Sequence, residues 1–317
     1  MRAYVLRRLG QFLPVLLGIA LVTFAIVRSA PGDPAALMVD VQLLSEEELR
    51  RFRDELGLTG PWPLQFARIV GELATGRLTS FRTGEPVLAV IGQRLPVTGA
   101  LIGGALALAV LAGIPLGVLA ATRPYGWLDH ALTVAALGGI SVPNFWFGLI
   151  LMWVFAGVLG VLPATGIGPT TALTYTVADM APYFVLPTVV LALAIVPSIM
   201  RYVRSSMLDA LGQDYVRTAR GKGLSEGRVL YRHALRNALL PVVTVVGALL
   251  PILVGATAVI ESVFAMPGLG RLVVEAAVNR DYPTILTLNF LTAAVVLLSN
   301  LAVDVLYVVL DPRIRLE

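Results

Sequence analysis

The chain contains no cysteine. Disulfide frameworks, thiolate metal sites and cysteine nucleophiles are therefore excluded. It has only two histidines, His130 and His233, too few for a histidine-rich metal site. Charge is scarce as well: 14% of the 317 residues are Asp, Glu, Lys or Arg, against about 25% in soluble domains. No G-x4-G-K-[ST] segment occurs, so the chain has no P-loop to cradle nucleotide phosphates. The "GKG" at 221–223 is too short and lacks the hydroxyl that would reach Mg2+. Convergent catalytic groups near either histidine are missing, which argues against an integral membrane enzyme. Internal repeats are also missing and no buried ionisable pairs are expected, which argues against an ATP-independent secondary transporter.

What the chain does have is apolar residues, 57% of the total, with a mean hydropathy of +0.83. They fall in runs at about 9–27, 96–121, 143–160, 182–200, 242–260 and 284–310. Each run has about the 17–25 residues a helix needs to cross the hydrocarbon core, the last being longer. Lipid offers no partner for backbone N–H and C=O groups, so such runs read as helices. The expectation is an all-α polytopic membrane protein with six transmembrane helices. The first run resembles a signal peptide behind Arg2, Arg7 and Arg8, but its core exceeds the usual 7–15 residues, so a retained span is expected. With an even number of spans and the N-terminus inside, 14 Lys and Arg lie on the cytoplasmic side and 10 outside. That bias places both termini in the cytoplasm.

Four regions follow from the runs: 1–29, a tail and first span; 30–95, an extracytoplasmic helical cap; 96–310, a five-helix core that includes a cytoplasmic loop at 202–241; and 311–317, a C-terminal tail. In the cap, Ser45 followed by Glu48 is a capping-box signature, with Gly57 as the stop. Further short helices are expected at 64–73 and 87–94. Residues 127–138 read as an entry helix, broken by "GGISVP" at 138–143, with Ser141 as a cap for the next span. The outer loop 261–283 should hold a turn at "MPGLG" and a short helix at 271–279.

The loop segment "DYVRTARGKGLSEGRVLYRHALRNALLP", 214–241, is the densest in charge. Helices are expected at 206–221 and 225–238, hinged at Gly221 and Gly223, with Ser225 capping the second. Arg228, Arg232 and Arg236 recur every fourth residue and share one face. Three readings remain open: a plain positive-inside loop, a surface for anionic lipid, or a docking element for a protein partner.

The same segment resembles the "EAA" loop of ABC-transporter permeases, E-A-A-x3-G followed by I-x-L-P. Those places fall on Arg217, Thr218, Ala219 and Gly223, then on His233, Leu235 and Arg236. The motif's glutamate and proline are absent here. The oligopeptide/dipeptide branch, with "YVRTARAKGLSE", is closer to "YVRTARGKGLSE". Its resemblance extends through "PGDPA" (31–35), "LGLTGPWPLQF" (56–66), "SVPNFWFG" (141–148), "ESVFAMPGLG" (261–270), "NRDYP" (279–283) and "VDVLYVVLDPRIR" (303–315). The segment 75–87 departs from the branch, with Arg77 and Thr79 where aspartate and glycine are usual.

The resemblance implies a type I ABC importer permease of the first ("B") type, in a bacterial or archaeal plasma membrane. A second homologous permease, two cytoplasmic ATPases carrying ATP and Mg, and an extracytoplasmic substrate-binding protein are the implied partners. Membrane lipid surrounds the chain, and no nucleic acid is implied. No cofactor is implied on this chain. Tyr215, Arg217, Thr218, Ala219, Arg220, Lys222, Gly223 and Leu224 would form the ATPase-coupling helix and its end. Glu261, at the end of the fifth run, either gates with Arg271 or Arg280 or faces water. Asp304 lies within the last run, as an interfacial structural charge or a functional one.

Overall fold

The computed structural model describes residues 2–32, 34–35, 45–169 and 176–310. Helices account for the regular structure: α1 Arg2–Ser29, α2 Glu46–Glu55, α3 Trp62–Thr75, α4 Val87–Thr122, α5 Trp127–Ser141, α6 Asn144–Met152, α7 Val177–Leu193, α8 Val196–Leu211, α9 Asp214–Gly221, α10 Glu226–Arg228, α11 Leu235–Val263, α12 Leu269–Val278 and α13 Tyr282–Leu310. Two π-helical segments interrupt the α geometry, Trp153–Val158 after α6 and Val229–Ala234 between α10 and α11. α1, α4, α11 and α13 are each long and apolar enough to cross a membrane. The bent pairs α5–α6 and α7–α8 raise the count to six if each is one broken span. The C-terminal tail 311–317, with the end of "VDVLYVVLDPRIR", lies outside the described residues, as does Asp33 of "PGDPA".

The chain divides into two compact units, 1–98 with 267–298, and 99–266 with 299–317. In the first, Leu78, Val87, Val90, Ile91, Leu272 and Leu288 form a buried cluster. α2 begins as the sequence suggests. Ser45 N and Oγ donate to Glu48 Oε2 at 2.9 and 2.7 Å, and Glu48 N donates back to Ser45 Oγ at 3.3 Å. These bonds, that from the Ser45 hydroxyl first, hold the Glu48 carboxyl below the usual carboxylate range. Gly57, with φ +70°, sits one place past the C-cap Leu56. There Gly57 N donates to Asp54 O at 3.0 Å and Leu58 N to Arg53 O at 2.9 Å, a Schellman stop.

The expected helix at 87–94 is not a separate element but the start of α4, which runs unbroken for 36 residues. Pro96 stands between 94 and 97 but does not stop the helix; it is absorbed within a long apolar helix. The short helix expected at 271–279 begins two residues earlier, at Leu269. Its start is fixed by Leu269 N donating to Thr98 Oγ1 at 2.8 Å.

In the second unit, α4 carries Gly113 and Gly117 four residues apart. A β-carbon at Gly113 would stand 2.8 Å from Ile199 Cγ2, and one at Gly117 2.6 Å from Val203 Cβ, so α4 and α8 approach as small-residue helices do in lipid. Gly247 of α11 meets Val303 of α13 as closely. The prolines begin or bend helices: Pro197 opens α8, Pro143 is the N-cap of α6, and Pro187 and Pro251 lie within α7 and α11. Ser141 does not cap α6 as expected. It is the last residue of α5, and its hydroxyl donates back to Leu137 O at 2.9 Å. Val142 turns extended before Pro143, as steric conflict with a proline ring requires.

Candidate functional site

The loop expected as two hinged helices is divided differently. α8 ends at Leu211, and Gln213 is extended at the N-cap of α9, so the expected 206–221 helix is two helices with Gly212 at the joint. Beyond the second joint, the expected 225–238 helix does not stop. α10, the π segment and α11 run on through Pro241 to Val263. Ser225 occupies the N-cap position, but its side chain makes no capping bond. Its carbonyl accepts from Val229 N at 3.0 Å instead.

α9 has eight residues and would be marginal alone. Tertiary contacts hold it. Val216 and Ala219, three residues apart on one face, are buried against Val229, with Leu211 and Leu224 packed around them. Its end is closed by a second Schellman motif. Gly223, at φ +76°, donates its N–H to Arg220 O at 2.9 Å, and Leu224 N reaches Ala219 O at 3.4 Å. Leu224 makes the apolar contact that accompanies such stops. Glycine suits the place because a β-carbon is strained at that φ.

The remaining face points outward. Tyr215, Arg217, Thr218, Arg220, Gly221 and Lys222 are exposed. Arg220 grips Glu226 with Nε at 2.8 Å and Nη2 at 3.3 Å, which ties the end of α9 to the start of α10. Arg217 reaches Asp214 only at 3.5 Å, and both stay solvated. Thr218 Oγ1 donates to Asp214 O at 2.9 Å. Further along, Tyr231, Arg232, Leu235, Arg236 and Leu239 line an open groove. Thus the sequence-selected residues from Tyr215 to Leu224 do form one small body: Ala219 and Leu224 inside it, Gly223 at its turn, the others on its surface.

The other candidates lie elsewhere. Glu261, near the end of α11, is fully buried, so the alternative in which it faces water is overturned. Arg271, on α12, places Nε 2.9 Å from Glu275 Oε1. Asp304 is half-buried on α13, six residues before its end at Leu310.

Sequence reasoning passed over Asp129 and Arg204, and expected no paired ionisable groups. Asp129, on α5, is 4% exposed and receives Arg204 Nε and Nη2 of α8, both at 2.6 Å. Tyr125 N donates to the second Asp129 oxygen at 2.9 Å. The available signal was a carboxylate in the first turn of a largely apolar helix.

Comparison with known proteins gives the family of the chain. A family model described as the inner membrane component of binding-protein-dependent transport systems matches residues 113–316, and its N-terminal companion matches residues 1–102. The chain belongs to this family: it is a membrane permease subunit of a binding-protein-dependent ABC importer, a transport component and not an enzyme. It is 43% identical to the oligopeptide transport system permease protein AppB of Bacillus subtilis, over 99% of this chain and all of that one. It is 38% identical to the dipeptide transport system permease protein DppB of Alkalihalophilus pseudofirmus, again over 99% and 100%. Among solved structures, the MetNI methionine ABC transporter in inward-facing conformations shares the fold at TM-score 0.54 and 20% identity, over 72% of this chain and 99% of that one.

Proposed function

We propose that this chain forms half of the path of a peptide importer and that α9 is the element on which a cytoplasmic ATPase acts. The termini then lie in the cytoplasm, a second related permease completes the path, and an extracytoplasmic binding protein delivers cargo. ATP and Mg reside on the ATPase subunits. The relatives named for oligopeptide and dipeptide transport support peptides as the cargo class.

The observation that carries the coupling role is the build of α9. It is fastened inward by Val216, Ala219 and Leu224, yet it presents Tyr215, Thr218 and Lys222 outward without burying them. A push on that face moves α8, which precedes it, and α11, which follows it through α10 and the π segment, as one body, and opens or closes the path by rocking. Partly desolvated charge pairs at the contact then set partner choice.

The test uses the whole complex reconstituted with its ATPases and binding protein. A cysteine at Thr218 should cross-link to the ATPase. Arg220→Glu and Gly223→Pro should separate ATP hydrolysis from uptake or release the ATPases altogether. Native uptake per ATP in both variants would overturn the reading. Ligand screening of the co-purified binding protein identifies the cargo.

A further inference from the structure

We infer that Asp129 and Arg204 are positioning residues that join the coupling helix to the α4–α5 turn, so that a displacement of α9 is delivered to α4 and α5 as well as to its own helix. The inference rests on the coupling role proposed for α9. It begins from α8, which leads into α9 with only Gly212 and Gln213 between them. Any load on α9 enters the rest of the chain through α8 on one side.

α8 touches its neighbours in two chemically distinct ways. Ile199 and Val203 lie in the hollows left by Gly113 and Gly117 of α4, and Met200 packs with Ala120, Ala136, Leu116 and Leu132 of α4 and α5. Those contacts are apolar and tight, but nothing in them is directional along the helix axis. Apolar helix faces can slide by small shear movements. The bond from Arg204 to Asp129 differs. Its two parallel N–H···O contacts are both 2.6 Å and fix distance and angle together, which is the property of a guanidinium–carboxylate fork.

The far side of the fork is anchored to backbone. Tyr125 is a non-glycine residue at φ +62°, an uncommon conformation, and its N–H is received by Asp129 at 2.9 Å. The Arg204 guanidinium also lies 5.9 Å from the centre of the Tyr125 ring. His130, the neighbouring titratable group on α5, binds its own turn through Nδ1 at 2.9 Å from Gly126 O. Arg201 shares the recess with these residues but has no carboxylate partner among the described residues. The carboxyl of Asp129 therefore holds the α4–α5 turn and α8 at once. The arrangement transmits a pull that the apolar contacts alone would let slip.

The experiment compares Asp129→Asn, Arg204→Lys and the double variant in the reconstituted complex. Asparagine keeps the acceptor for Tyr125 N but removes the charge, and lysine keeps the charge but removes the fork. Assembly with the ATPases should be native, because neither residue lies on α9. Uptake per ATP hydrolysed should fall roughly two- to thirty-fold, the range over which such transmission residues act. The double variant should be no worse than the poorer single one, since both remove the same link. Native uptake per ATP in assembled variants, even with a lowered Tm, would make the pair a structural brace and overturn the inference. Failure of the α9 reading shows separately, as absence of the Thr218 cross-link.

Discussion

Asp281 and Arg220 are both polar side chains at helix ends, but their surroundings differ. Asp281 precedes α13 and is 3% exposed. Ser80 Oγ donates to it at 2.5 Å, Phe81 N at 3.0 Å, and Thr284 Oγ1 at 2.7 Å. Two of these donors lie about 200 residues away in the chain. The Arg220 side chain pairs with Glu226, six residues on, and stays accessible. Arg228, Arg232 and Arg236 have no carboxylate partner among the described residues and are exposed. The first region uses polarity to close a loop onto itself. The second leaves its polarity unspent inside the chain, as a surface that meets something else would. Buried polar groups are expected to be satisfied, so the diagnostic region is the one with cations to spare.

The strongest break of that contrast is Asp281→Ala. It would strand Ser80, Phe81 N–H and Thr284 in a buried place and remove an N-cap from α13. The cost is about 3 kcal/mol, from unsatisfied buried donors and the lost cap. The purified complex should show a clear fall in thermal midpoint and lower yield, with normal uptake per ATP in whatever remains folded. A change in that ratio at unchanged midpoint would show that Asp281 acts in transport and not in closure.

Gly223→Ala should cost less, about 1–2 kcal/mol, because alanine must adopt the left-handed conformation at that turn. The effect should appear in ATPase retention before it appears in global unfolding. Arg220→Ala should lower stability by less than about 1 kcal/mol, since its bond to Glu226 is solvent-exposed. Coupling should still drop. A stability loss as large as that of Asp281→Ala would erase the distinction between the two regions.

The two regions were also unequally legible in the sequence. The Ser45 and Glu48 box, the Gly57 stop and the Gly223 turn are local events within a few residues, and each was readable from spacing. The long apolar runs were readable for the same reason: lipid leaves the backbone no alternative to helix. The failures were non-local or near proline and glycine. Whether α9 would separate from α8 depended on Val229 covering Val216, which no short window reveals. Whether α11 would run through Pro241 depended on neighbours within a bundle. Asp281 lay within a quoted motif, yet its partners Ser80 and Phe81 are distant in the chain. Arg204 and Asp129 are 75 residues apart, and neither looks unusual alone. The close contacts of Gly113 and Gly117 with α8 likewise came only with the fold.

The smallest expected effect sharpens the contrast at its exposed limit. α2 is capped by Glu48 and Ser45, whereas α3 begins at Pro61 with no side-chain cap. Glu48 is held below the ordinary carboxylate range by Ser45. A carboxyl whose folded value is depressed contributes stability above its unfolded value, about pH 4.3, and that contribution is lost as pH falls through the lower folded value. Amide exchange, corrected for intrinsic rates, should therefore show α2 loosening below about pH 4 while α3 keeps its protection. Glu48→Gln should remove most of this pH dependence in α2, because glutamine can still occupy the box but does not titrate. Equal loosening of α2 and α3 in the unaltered protein would mean that acid acts on the packing of the first unit and not on this cap.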